Sequence, residues 1–454
     1  MKTLQGASAM SFTGASWVRP VGCVRASARA RQSIAVLRGQ SGGQFGVRES
    51  GTSWAEDQLW SGGNEARQRC DASREPPVTP KERVLTALRH EEPDRVPLGE
   101  FAIDYAVIEK ILGRKSYLRG KRQLIEAMWE GRRDEAVESM QRDSVELTLE
   151  LGLDMVRVDL VPDKDREFPR PRRIDDETWE DEWGAVYRFS ELTHDVMLLK
   201  APDKTPPPYE DPAEVREGLR IPTASELEVV DYVLEKLGDT HFIWTSPGTW
   251  APGLPFPSAL WVEPWIMALV EDPQGVRQSH LRAAGHVGRA ARFWREKGID
   301  GLCGGEDLGF NSGPFMSPKQ FRDLFLPGYQ AQAQAAHEAG LPLMFHSCGN
   351  LTAIWDGLAE TGFDAYQAIQ PEEDLAELKR RHGQDLGLWG GVSCHNLVVK
   401  PPDEIREETK WACETCMPGG GFILGSSHSI GVGVPPENFR AMCETAREYG
   451  RYST

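Results

Sequence analysis

The chain has 454 residues, with 52 basic and 69 acidic side chains, a formal net charge of −17 and 40% hydrophobic residues. That composition belongs to a globular protein, and the length allows several domains or one large barrel with extensions. The acidic balance excludes a broad nucleic-acid or anionic-membrane surface, which needs clustered Lys and Arg. No apolar run reaches the ~18–20 residues that cross a bilayer.

The charge is unevenly placed. Residues 1–50 hold seven basic side chains and one acid, a balance of +6, whereas the remainder holds 45 basic and 68 acidic, a balance of −23. Residues 1–78 are expected to be a disordered basic extension, because no apolar period persists there. The Arg- and Ser-rich, acid-poor stretch to Arg48 has the composition of an organellar transit peptide. Import through residues 1–50 is thus one expectation and a cytoplasmic location the other. The eight cysteines are too sparse for a disulfide framework, which suits a reducing compartment.

The folded chain is expected over residues 79–454. Thr79 can cap a helix with Pro80 in its first turn, and Val84, Leu85 and Leu88 then share a face. Eight short apolar runs follow, at 95–103, 154–160, 241–246, 301–305, 341–346, 364–369, 386–392 and 421–424. Amphipathic segments alternate with them. Leu227, Val230, Leu234 and Leu237 repeat at helical spacing before Gly238, Ser317 and Pro318 open another helix, and Pro435, Pro436 and Glu437 open the last. Eight strand–helix alternations predict an α/β fold, a (β/α)8 TIM barrel. Residues 161–222, rich in Pro and charge, break the alternation and are read as an insertion after strand two, a β-hairpin plus loop over the barrel mouth.

Chemistry in such barrels is built at the carboxyl ends of the strands. Those ends carry Glu306 and Asp307 after strand four, His346 and Cys348 after strand five, Cys394 after strand seven and His428 after strand eight. Imidazole and thiolate are good zinc ligands, and residues two apart on a strand face one way, so His346 and Cys348 can reach one ion. A zinc site wants at least three protein ligands; with Ser426 and Ser427 at the last tip, the third is left to Glu306, Cys394 or His428. Glu306 and Asp307 are adjacent carboxylates, one suited to general acid–base work or ligation and the other to orienting it. Cys413 and Cys416 end a helix on the far side of the barrel and read as packing residues, and Gly419, Gly420 and Gly421 read as a helix stop and tight turn.

Residues 79–450 resemble the uroporphyrinogen decarboxylase superfamily. Carrying the resemblance are Thr79 through Val84 with Pro93 through Pro97; Asp181, Glu182, Trp183 and Gly184; Glu306 through Gly309; His346 through Asn350; and Gly420 through Leu424 with His428 and Pro435 through Asn438. The family includes the porphyrin-pathway decarboxylase and zinc-dependent methyltransferases that move methyl groups between corrinoid proteins and thiols or folate. The methyltransferase pattern implies zinc ligation by His346 and Cys348, completed by Glu306 or His428, with a small-molecule substrate, a methyl-corrinoid as substrate or partner-bound group, a corrinoid protein as partner, and a homodimer. The decarboxylase pattern implies catalytic roles for Asp159 and His428. It also implies paired arginines on strand one, where this chain reads Pro97, Leu98, Gly99, Glu100, Phe101, Ala102, Ile103 and Asp104. Corrinoid-linked methyl transfer is therefore the leading expectation, with decarboxylation and a non-catalytic ligand-binding barrel as alternatives.

Overall fold

The computed structural model describes residues 78–203, 214–249 and 262–452. The basic extension and transit segment expected before residue 78 lie outside the described residues. Seven parallel strands form one curled sheet: β1 (Met155–Arg157), β2 (Phe242–Thr245), β3 (Gly301–Gly305), β4 (Leu343–His346), β5 (Ala365–Ile369), β6 (Gly387–Val392) and β7 (Phe422–Ser426), paired in that order. Six lie within runs expected to be strands, and β7 overlaps the run 421–424 but continues two residues further.

Alternation along the strands sorts their side chains. Met155, Phe242, Trp244, Cys303, Met344 and Trp389 share an inner cluster with Phe101. Their neighbours Val156, Ile243, Leu302, Phe345, Tyr366 and Leu388 belong to the larger core shared with the helices. These include Pro273–Lys297, Leu326–Glu338, Pro402–Cys416 and Pro436–Tyr449. Cys413 and Cys416 are buried in that packing.

The run 95–103 departs from expectation. It makes isolated bridges, Leu98 to Leu424 and Ile103 to Ile430, instead of a strand. Pro97 has no N–H to give, and the Leu98 N–H donates to the Asp154 carboxylate (2.8 Å). The segment still bonds on both sides: Gly99 N–H to the Leu424 carbonyl (3.0 Å), and Asp154 N–H to the Leu98 carbonyl (2.7 Å). Fully buried Asp154 also receives Arg83 and Arg95. Arg83 belongs to the first helix, Pro80–Leu88, where Thr79 and Glu82 form the capping box.

The insertion is larger than a hairpin. Arg172–Arg173, Thr178–Glu180, Val186–Phe189 and Val196–Lys200 form a four-stranded antiparallel sheet, followed by a hairpin of Glu214–Arg216 and Leu219–Ile221. Trp179, Tyr187 and Val196 give that sheet its own small core against Ile125. Gly419, Gly420 and Gly421 all have positive φ (79°, 69° and 65°), as the tight turn before β7 requires. Among the described residues, no helix is long and apolar enough to cross a membrane.

Candidate metal centre at the strand tips

His346 ends β4 on the inner face, two residues beyond Met344. The loop after it is fastened from several directions. Ser347 N–H donates to the Gln367 carbonyl (2.8 Å), and Cys348 N–H to Asp307 Oδ1 (3.0 Å). Leu308 N–H donates to Ser347 Oγ (3.0 Å), and Tyr366 OH to the Ser347 carbonyl (2.9 Å). Gly349 has φ of 102°, and a Cβ there would meet the Gly309 carbonyl group at 2.4 Å, so glycine is required. From the other side, β7 turns through Ser427 and His428 and is pinned by the Ile430 N–H to the Ala102 carbonyl (2.9 Å).

This brings three ligand atoms together. Cys348 Sγ lies 3.5 Å from His346 Nε2 and 3.1 Å from His428 Nε2, and all three atoms are within 4.8 Å of one another. Tetrahedral zinc with its usual N and S bond lengths spaces such ligands by about 3.3–3.6 Å. The donor set fits zinc, and the two sulfur–nitrogen distances lie near that spacing. Gln367, fully buried, ties the two histidines: its Oε1 meets His346 Nδ1, and its Nε2 donates to the His428 carbonyl (2.9 Å). A proton on His346 Nδ1 leaves the Nε2 lone pair for a metal. Phe101 stacks on the His346 ring (4.2 Å, 13°).

Burial holds both rings neutral. It pushes His346 down to about 4, with the Arg157 and Arg119 guanidiniums adding to the effect. It pushes His428 down to about 3, assisted by His346. Burial, and then the Asp307 carboxylate, raises the Cys348 thiol well above its ordinary range. A cation would be needed to draw off that proton, so ligation would release one.

Glu306 is not in this cluster. Its N–H bonds the His346 carbonyl (3.0 Å), but its side chain leaves the opposite face of β3 from Cys303. There Glu306 Oε2 receives His280 Nε2 (3.0 Å) and Tyr329 OH (2.8 Å), between helices Pro273–Lys297 and Leu326–Glu338. His280 Nδ1 faces the Val276 carbonyl (2.9 Å), so both ring nitrogens meet acceptors, an arrangement that favours the protonated ring. Burial opposes that charge, but the Glu306 carboxylate and the two hydrogen bonds outweigh it and raise the pKa. The expectation of Glu306 as a ligand is corrected by this strand parity. His280 and Tyr329 escape sequence reasoning, since nothing about a histidine inside a helix signals its partner.

Asp307 sits at the cluster's edge through its bond to the Cys348 N–H. Asp159 does not: it is exposed and paired with Arg157 (2.9 Å). Cys394 Sγ donates to the Ser429 carbonyl (3.4 Å) and lies outside the three-atom group.

Residues 261–449 match the family described as Uroporphyrinogen decarboxylase (URO-D). A methylcobamide:CoM methyltransferase MtaA of Methanosarcina barkeri is 30% identical over 135 residues, 30% of this chain and 38% of that protein. A second MtaA, from M. barkeri strain Fusaro, is 26% identical over 242 residues, 52% of this chain and 67% of that one. A uroporphyrinogen decarboxylase of Crocosphaera subtropica is 24% identical over 142 residues, 29% of this chain and 37% of that one. A solved methyltransferase from Methanosarcina mazei shares the fold, with a TM-score of 0.57 at 21% identity, over 82% of this chain and 99% of that one. These matches support the uroporphyrinogen decarboxylase superfamily for this chain. Its matched segments span from about a third to two thirds of these curated relatives. The superfamily's named members here are enzymes of two kinds, methyltransferases and decarboxylases.

Proposed function

We propose that this protein is a methyltransferase that moves a methyl group from a methyl-corrinoid to a small thiol at a zinc site held by His346, Cys348 and His428. The observation that carries the reading is the convergence of those three ligand atoms within 4.8 Å. Bound zinc would supply Lewis acidity, lowering the pKa of an acceptor thiol so that its sulfur is a thiolate at neutral pH. Gln367 would hold both histidines in the ligating orientation, and Asp307 would fix the Cys348 backbone. Phe101, Trp244 and Trp389 would line the inner wall and limit water. The methyl carbon would pass from corrinoid cobalt to the acceptor thiolate, whose proton would have gone to solvent, with the cobalt–carbon bonding pair left on cobalt. A corrinoid protein is the partner this reading expects.

The hydrogen bonds of residues 97–99 to both β7 and the start of β1 support a closed (β/α)8 barrel, with that segment in the eighth position. The test of function is metal analysis of purified protein beside Cys348→Ser. About one zinc per chain, lost in the variant together with methyl transfer from methylcobalamin to a thiol, supports the proposal. Zinc-free wild type that decarboxylates uroporphyrinogen would overturn it in favour of the other family activity.

A further inference from the structure

The four-stranded sheet of the insertion has two unlike edges. Its strands are ordered Arg172–Arg173, Thr178–Glu180, Val186–Phe189 and Val196–Lys200, so the first and last are its edges among the described residues. The first is two exposed arginines, a short charged edge of the kind that resists pairing. The last is a run of five residues, apolar until Lys200. Met197 is 39% exposed and Leu199 53%, and Leu192 in the turn before them is 73% exposed. These three side chains line one shallow groove of about 410 Å³.

The ladder shows which backbone groups that edge leaves free. Phe189 N–H donates to the Glu177 carbonyl (2.8 Å), away from Val196, its partner across the ladder. Hydrogen-bonded and non-hydrogen-bonded rungs alternate in an antiparallel pair, so Val196 and Leu198 turn their N–H and C=O groups outward. Side chains alternate as well. Val196 and Leu198 pack with Trp179 and Tyr187, whereas Met197 and Leu199 face out. The edge is already held in place. Tyr105 OH meets His194 Nδ1 (2.7 Å) in the turn, and Lys121 Nζ reaches both Asp104 (2.8 Å) and Asp195 (3.3 Å). Pairing there costs little further ordering.

The strand is also its own complement. Exposed Glu191 lies in the turn before it and exposed Lys200 at its end, with Met197, Leu198 and Leu199 between. Antiparallel alignment of two such strands about Leu198 sets Met197 of each against Leu199 of the other. It also brings each Lys200 toward the other's acidic turn, whereas a parallel alignment would bring like charges together.

We propose that Val196–Lys200 is a self-association edge, to which a second copy of this chain adds its own Val196–Lys200 strand, antiparallel, across a twofold axis. Each Leu198 exchanges backbone hydrogen bonds with its counterpart, and the two insertion sheets become one continuous sheet. The ladder supplies direction and register, and the paired Met197 and Leu199 supply apolar contact. The contact is isologous, so it closes at two copies. A five-residue edge buries less than a standard interface, so the dimer is a reversible one. None of these residues belongs to the metal cluster.

Sedimentation equilibrium of the full-length protein over a wide concentration range tests the edge. Wild type should show a reversible monomer–dimer equilibrium. Met197→Lys with Leu199→Lys, and separately Met197→Glu with Leu199→Glu, place like charges opposite each other and should each weaken the dimer by about tenfold or more. An equimolar mixture of the two double variants should restore it, since every lysine then faces a glutamate. Both changes are at exposed side chains, and a melting temperature within about 4 °C of wild type shows each variant folded. Where a double variant does not fold, hydrogen exchange in wild type decides: the Val196 and Leu198 amides should exchange at least about tenfold more slowly at dimer-forming concentrations than at dilution. A wild type that stays monomeric overturns the proposal and leaves the edge to a strand of another protein. A dimer that both double variants retain, or that their mixture fails to restore, overturns it too, because the contact then lies elsewhere.

Discussion

Two buried histidine clusters lie back to back on the tips of β3 and β4. They are joined by the bond from the Glu306 N–H to the His346 carbonyl (3.0 Å). On the outer side, His280, Glu306 and Tyr329 answer one another: two donors meet one carboxylate oxygen, which favours the charged form of the His280 ring. On the inner side, His346, Cys348 and His428 present two neutral nitrogens and a sulfur to a common point. The outer side is the more deeply buried, since Cys348 and His428 are only partly covered, and the chemistry differs too. Two donors gathered on Glu306 Oε2 make a structural clamp, though Oε1 is left without a partner, whereas two neutral imidazoles and a thiol that can give up its proton make a site for a cation.

The comparison is open to breakage. The largest effect is expected for His428→Ala, which should lower zinc affinity by at least about a hundredfold while the metal-free protein melts within about 4 °C of wild type. Metal titration beside calorimetry checks both halves; unchanged zinc affinity would dissolve the inner cluster as a site. Glu306→Ala should do the reverse. It strands His280 and Tyr329 and should destabilise by about 3 kcal/mol, read from urea unfolding, with zinc per folded chain unchanged. Loss of zinc without loss of stability would make Glu306 a ligand after all.

Glu373 sharpens the contrast as a buried carboxyl without a cation. It accepts Trp355 Nε1 (2.7 Å) and the Leu351 N–H (3.0 Å), and burial pushes it up to about 7 from 4.5. Its raised pKa means the folded state holds the proton more tightly. The stabilisation is thus full below about 4.5 and is lost as pH rises through about 7. Glu373→Gln, which cannot ionise, should flatten the fall in melting temperature across that window; an unchanged slope would contradict it. The smallest effect is expected for Asp159→Asn, below about 1 kcal/mol in stability, with zinc content unaltered, because Asp159 is half exposed in its pair with Arg157.

Much of this was legible beforehand, for reasons that particular residues make plain. Continuous apolar runs bounded by polar turns marked β1 through β7, and the two-residue spacing of His346 and Cys348 put both on one face. The run 95–103 looked equally apolar, but its ladder was cancelled by Pro97 and by a carboxylate, Asp154, far along the chain. His428 was legible only as one of three alternatives, since its reach depends on how the turn after β7 is pinned to Ala102. The side on which Glu306 falls follows from Cys303 facing inward, and inward has no meaning until the sheet has curled.

The segment around residue 98 has a further consequence, in the order in which the chain is made. Glu100 accepts Ser426 N–H and Oγ–H (2.9 and 2.6 Å) across a separation of 326 residues. Phe101 covers one side of His346, and His428 arrives from just beyond Ser426. During synthesis the early wall of the site waits for nearly the whole chain before the late ligand emerges. A polypeptide interrupted before β7 can collapse much of its sheet and yet hold no complete metal cluster. A complete ligand set at the strand tips thus reports that translation passed β7.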